Sequence, residues 1–214
     1  MYRFIVIVFF LIYNQSVSLL AQKMNLPKAT SDEKHFNYSY LQLDINFLNY
    51  PIRHVNTNGL SVSGSAIFGD RLGVGLSVDI TDSQKAALSM TTTNKANVFE
   101  YTQISLFNEV FFHPNSRIDI SLPLKLGLGH ASVSHLEGFS FGETLFSGTN
   151  IVDEDYFFVT ELGANVSVHL IKTLDFNVGG SYRLTAGANG LVGNDDFLNY
   201  SIHAGLRFRL GFKQ

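Results

Sequence analysis

The residues best suited to covalent chemistry are His130 and Ser132, two positions apart in a segment of alternating hydrophobicity. On a strand that spacing puts both side chains on one face. A serine hydroxyl becomes a nucleophile when an imidazole takes its proton and a carboxylate orients the imidazole. Glu137 and Glu143 follow closely enough to offer that carboxylate. No oxyanion-hole element is recognisable around them. Polar residues where a strand runs out into a polar loop account for the same pattern, and the sequence reads as a non-enzyme whose low-ranking catalytic candidates are His130, Ser132 and Glu143.

Metal chemistry is weaker still. His130, His135, Glu137 and Glu143 fall in or beside one polar stretch, but their spacing matches no closed zinc site. Asp153-Glu154-Asp155 and Asn194-Asp195-Asp196 lack the regular ligand spacing of a calcium loop and read as solvated charge. The pairs Gly73-Val74-Gly75 and Gly127-Leu128-Gly129 are followed by no strand-to-helix transition, so they are not nucleotide loops. Neither a metal nor a cofactor is expected.

Composition narrows the class of protein that must position these groups. Charged residues make up 15% of 214, aromatics 13%, with 18 Gly and neither Cys nor Trp. So little charge beside so much Phe, Tyr and Gly suits a β-protein with two apolar-contacting surfaces better than a solvent-bathed enzyme. A net charge of −3 with scattered Lys and Arg offers no footprint for nucleic acid. Without cysteine there is no disulfide frame and no site for a lipid anchor. Residues 1–21 read as a secretory signal, with Arg3 before the apolar run Phe4 to Tyr13 and a cut after Ala21. Residues 22–35 then form a periplasmic lead-in, and residues 36–214 the folded domain.

Within that domain apolar residues recur at every second position. In the last segment Tyr200, Ile202, Ala204, Leu206, Phe208, Leu210 and Phe212 share one face, and Ser201, His203, Gly205, Arg207, Arg209 and Gly211 the other. Similar alternation marks 38–48, 60–68, 72–80, 118–128, 156–170 and 174–184. In 98–112 Phe99 and Tyr101 fall on one parity, whereas Ile104, Leu106, Val110 and Phe112 fall on the other, which predicts a bulge between them. The expectation is eight strands, each near the roughly 9 to 11 residues that cross a membrane at a tilt.

The connections alternate in length. Gly69-Asp70-Arg71, His113-Pro114-Asn115-Ser116 and Ile171-Lys172-Thr173 predict tight turns, and 49–58, 82–97, 129–155 and 185–198 predict long loops. An all-β, eight-stranded antiparallel up-and-down transmembrane barrel has this anatomy, with short turns in the periplasm and long loops outside. Its polar parity must face inward, because Arg or Lys facing lipid at mid-depth costs about 2–4 kcal/mol. The lumen should therefore hold a charge network of Asp44, Asp79, Glu109, Asp119, Lys125, Glu161, Asp175, Arg183, Arg207 and Arg209, with His169 and His203 among it. Inward glycines could make room for long side chains or leave a narrow wet path. Aromatic residues at strand ends, including Phe111, Phe112, Tyr156, Phe157, Tyr200 and Phe212, read as interfacial girdles.

The terminal strand YSIHAGLRFRLGFKQ resembles the closing strand of small bacterial outer-membrane barrels of the OmpX and OmpA transmembrane-domain type, and the architectural likeness extends over residues 36–214. The resemblance implies residence in the outer membrane of a Gram-negative cell, with membrane lipid and the barrel-assembly machinery as partners. Barrels of this type include adhesins, structural anchors, small-solute channels and lipid-modifying enzymes, so fold does not select among them. His130-x-Ser132 with a following Glu is loosely similar to the arrangement in lipid A deacylases. The leading expectation is a structural or surface-interaction role, through long extracellular loops whose ligand the sequence leaves unnamed. The alternatives are a narrow small-solute channel, a barrel enzyme acting on lipid A or phospholipid, and a secreted soluble barrel with its apolar parity inside.

Overall fold

The computed structural model describes residues 39–52, 55–83, 97–114, 116–135, 150–188, 193, 196 and 200–211. The expected signal and lead-in, residues 1–35, lie outside these. Eight strands follow in order: β1 (Tyr40–Ile52), β2 (Val55–Phe68), β3 (Leu72–Ser83), β4 (Asn97–Phe111), β5 (Ile118–His135), β6 (Asn150–Ile171), β7 (Leu174–Ala186) and β8 (Tyr200–Leu210). Each pairs with its sequence neighbours, and β1 pairs antiparallel with β8 to close the barrel.

Alternation dictates which way each face points. Leu76, Ile104, Leu106, Leu128, Phe158 and Ile202 project outward and are exposed, whereas serines, carboxylates and arginines project inward and are buried. This is the reverse of a water-soluble barrel and rules out the soluble alternative. An apolar exterior over a hydrogen-bonded wall without edges is what a bilayer requires of a strand protein.

The tight turns at one end form as their residues predict. Gly69 and Asp70 both take positive φ, 57° and 59°, between Phe68 and Arg71, whose N–H donates to the Phe68 carbonyl at 3.2 Å. Two successive left-handed residues give the hairpin twist that matches the flanking strands. In the second turn the Ser116 N–H closes onto the His113 carbonyl at 3.0 Å.

At the other end the strands outrun their expected limits. Residues 49–58 are not a loop: β1 and β2 stay paired as far as Ile52 and Val55. Likewise β5 continues to His135 and β6 begins at Asn150, with one register shift near Val133. Beyond the hydrocarbon a strand has no reason to keep an apolar outer face, so Asn49, Asn56 and Asn58 read as loop although they are strand.

The bulge expected in β4 is absent. Its register runs unbroken from Asn97 to Phe111 against β5, and from Phe99 to Val110 against β3. Phe99 and Tyr101 share the inward parity of Gln103, Ser105, Phe107 and Glu109. What changes along β4 is the chemistry of the lumen, not the phase of the strand. The wall departs from regularity at Pro123, which cannot donate a ladder hydrogen bond. Pairing of β5 with β6 lapses there between Ser121↔Asn165 and Leu124↔Leu162.

Inward glycines serve the wall more than the lumen. A Cβ on Gly75 would lie 1.9 Å from the Gly64 carbonyl oxygen, and one on Gly205 would lie 2.1 Å from the Ile45 carbonyl oxygen. Neighbouring backbone occupies the space a side chain would need, so these positions let strands coil closely.

Candidate functional site in the lumen and at the loop-end rim

The lumen is layered. At the turn end Tyr40, Ile67 and Phe111 form a small apolar cluster. At the loop end Leu48, Tyr50, Ile52, Phe99, Tyr101, Ala131, Val133, Phe157, Val159 and Ala188 form a larger one, which fills the mouth of the barrel. Tyr101 meets Tyr50 edge-on and lies nearly parallel to Phe157, each at 6.1 Å between ring centroids. The Gly129 position leaves room for the Phe157 ring, which a Cβ there would approach to 2.6 Å. Phe111 and Phe157 therefore belong to the interior and not to an interfacial girdle. Phe112, Tyr156 and Tyr200 do face outward, and Phe212 is outside the described residues.

The charges lie between the two clusters and down to the turns, and all ten residues named from the sequence point inward. Arg207 of β8 is fully buried; its Nε donates to Asp44 Oδ1 at 2.9 Å and its Nη2 to Glu109 Oε1 at 2.8 Å. Lys125 Nζ is 2.9 Å from both oxygens of Asp79. Arg183 Nη2 reaches Glu161 Oε2 at 3.2 Å, and its guanidinium lies over the rings of Tyr50 at 4.5 Å and Tyr101 at 5.3 Å. Nearer the turns Arg209 pairs with Asp175, whose other oxygen accepts from His169 Nδ1 at 2.7 Å. Asp119 accepts the His113 backbone N–H at 2.9 Å.

Polar side chains complete these pairs. Gln42 Nε2 donates to Asp44 and Glu109, and Ser121 and Asn165 also donate to Glu109. His203 Nε2 donates to Asn165 Oδ1 at 2.8 Å. Ser181 donates to Glu161, and Tyr101 Oη donates to Gln103. Sequence reading named His203 with the charges and passed over the other partners, although their parity with the charged residues was the available signal. A cavity of about 30 Å³ remains at mid-height, bordered by Asp44, Asn46, Lys125, Glu161, Asn165 and His203 among others. It has room for about one water-sized occupant.

On the outer wall, register aligns three rows across β4, β5 and β6. Ile104, Leu128 and Phe158 form one, Thr102, His130 and Tyr156 the next, and Glu100, Ser132 and Glu154 the outermost. The step from apolar to polar marks where lipid tails give way to headgroups. His130 stacks on Tyr156 with 4.5 Å between centroids, and its Nε2 is 3.3 Å from Glu154 Oε2. The structure thus brings Glu154 to His130. Glu137 and Glu143 lie outside the described residues, as do Asn194 and Asp195, and the side chain of His135 is likewise undescribed. Asp153, Glu154 and Asp155 sit in β6, not in a loop, so alternation sends them to opposite faces. No cluster of three or more metal-ligating side chains occurs among the described residues.

No family model and no curated protein matches the sequence. Solved structures do. Neisserial surface protein A superposes with a TM-score of 0.52 at 16% identity, over 81% of this chain and 96% of that one. A major outer membrane protein from Thermus thermophilus gives 0.52 at 12% identity, over 80% and 98%. The chain has the fold of the small outer-membrane barrels. At such identities the likeness is one of fold, and it agrees with an exterior made for lipid and a wall without a free edge. As an outer-membrane barrel of eight strands the protein has a lumen filled by its own side chains, as that strand number dictates.

Proposed function

We propose that this protein is a surface-interaction barrel of the outer membrane, whose closed lumen makes it a rigid post for the segments joining β3 to β4, β5 to β6 and β7 to β8. The single observation carrying this reading is the seal at the loop end, where Ile52, Phe99, Tyr101 and Val133 have no solvent exposure. A side-chain core continued above the hydrocarbon holds the strand ends fixed, and long β5 and β6 carry their connection well clear of the lipid boundary. Membrane lipid around the belt and the barrel-assembly machinery during insertion are the partners this role implies, with residues 1–21 as the export signal and 36–214 as the barrel domain.

Deletion of residues 136–149 tests the proposal. The shortened chain should still give a heat-modifiable, protease-resistant barrel, while binding of intact cells to host or neighbouring surfaces falls. Loss of the barrel itself would refute the division between post and loops. In planar bilayers the reconstituted protein should show no unitary conductance. A steady conductance would favour a channel, since solute could pass only if the Tyr50, Tyr101 and Phe157 rings moved aside.

A further inference from the structure

The ion pairs of the sealed mid-lumen do not balance. Between the two apolar clusters Asp79 is matched by Lys125, and Glu161 by Arg183. Asp44 and Glu109, however, share the single guanidinium of Arg207. One carboxylate charge is left over where it is costly, because an uncompensated buried ion is disfavoured by several kcal/mol.

The leftover charge borders the cavity. Asp44 lines it, and so does Asn46, two residues further along the inner face of β1. Asn46 is 8% exposed, and its Oδ1 accepts no hydrogen bond. Gln42 Oε1, on the other side of Asp44, is a second buried acceptor without a donor. The imbalance around Asp44 is thus of two kinds, a surplus of negative charge and a surplus of lone pairs, and of the two acceptors Asn46 lies on the cavity. Lys125 also borders the cavity, but its ammonium is held by Asp79 and Ser61. His203 commits its Nε2 to Asn165, another residue of the lining.

From this geometry we infer that the mid-lumen cavity is a binding site for one small monovalent cation, seated on Asp44 and Asn46 Oδ1. Hard oxygen donors suit an alkali ion, the cavity is too small for a magnesium ion with its retained water shell, and Asp44 with Asn46 offers too few oxygens for the roughly six to eight that calcium takes. Such an ion neutralises the Asp44–Arg207–Glu109 triad. The site is distinct from the loop-borne role proposed above and stands or falls apart from it.

The test is thermal unfolding of the full chain, refolded in a zwitterionic detergent, in lithium, sodium, potassium or choline chloride at equal ionic strength and at pH 7.5. One alkali ion should raise the midpoint saturably, by roughly 3 °C over choline. Asn46→Leu, which removes the acceptor and fills the cavity, should abolish the difference among the salts. Asp44→Asn should do the same by removing the surplus charge. Equal midpoints in all four salts would overturn the inference, as would an alkali preference that survives in Asn46→Leu. Should either variant fail to fold, lithium-7, sodium-23 and potassium-39 relaxation on the unmodified barrel decides: a saturable broadening of one of the three that choline does not displace supports the site, and its absence for all three refutes it. Stabilisation that appears only on acidification and vanishes in His203→Gln would assign the missing charge to a proton instead, and the cation site would be wrong.

Discussion

Arg207 stands directly across the β1–β8 seam from Asp44 and reaches through the lumen to Glu109 on β4, at 2.9 and 2.8 Å. One guanidinium therefore joins the first strand to the last and both to the opposite wall. Replacing Arg207 with Met removes the donor fork and leaves two buried carboxylates facing each other, a change expected to cost about 3–5 kcal/mol. Adding Asp44→Leu and Glu109→Leu to Arg207→Met should recover much of that loss, because what is lost is compensation and not attraction. Urea titration followed by circular dichroism measures both, the chain having no Trp. Equal stability of Arg207→Met and the parent barrel would show that the seam does not depend on this residue.

Two adjacent aromatic residues on β6 separate the mouth of the barrel from its exterior. Phe157 is 3% exposed inside the loop-end cluster, and Phe158 is 67% exposed outside. Phe157→Ala should cost about 3–5 kcal/mol by opening a cavity beside Tyr101. Phe158→Ala should cost well under half as much, since lipid fills the space vacated. The same urea titration compares them, and matching losses would mean that the mouth is not packed as a core.

How much of this was legible from sequence depended on which solvent a residue meets. Strand order, the inward parity of the ten charges and the turns at Gly69 and His113 follow from alternation and from backbone-specific residues, both local signals. The aromatic mouth did not, because Phe99 and Tyr101 on a polar parity look like a slipped phase when one environment is assumed for the whole lumen. Asn49 to Asn58 looked like a loop for the complementary reason: outside the bilayer the outer face of a strand turns polar. The partnership of His130 with Glu154 was hidden as well, since it depends on the register of β5 against β6, whereas Glu143 is merely nearer in sequence. Pairing among the lumen charges needed the three-dimensional barrel, since Arg207 and Glu109 are 98 residues apart.

Depth in the membrane should grade the cost of charge on the outer face. Leu106 lies midway between the turn end of β4 and the polar row at Thr102, and is 59% exposed. Leu106→Arg should destabilise by about 2–4 kcal/mol in a lipid bilayer, and Tyr200→Arg, at the loop end of β8, by about 0–1 kcal/mol. Folding titrations into phosphatidylcholine vesicles give the two values. An equal penalty would show that the bilayer is centred elsewhere on the wall than the three aligned rows imply.

Closure of the wall depends on how near β8 comes to β1. Gly205 stands opposite Asn46 in the closing seam, where an added Cβ would press to 2.1 Å on the Ile45 carbonyl oxygen. The Ile45 oxygen and the Asn46 Cα are backbone atoms that no rotamer change moves aside, so Gly205→Ala must push β8 away from β1. Gly64, with nothing within 4 Å of its missing Cβ, supplies the matched control. Gly64→Ala should fold and migrate like the parent and stay within about 0.5 kcal/mol of it. Gly205→Ala should lose heat-modifiable mobility or unfold at markedly lower urea, because the seam it spreads is the one that closes the barrel. If both variants behave alike, the close approach of β8 to β1 is not a requirement of closure, and the role assigned to the inward glycines is wrong.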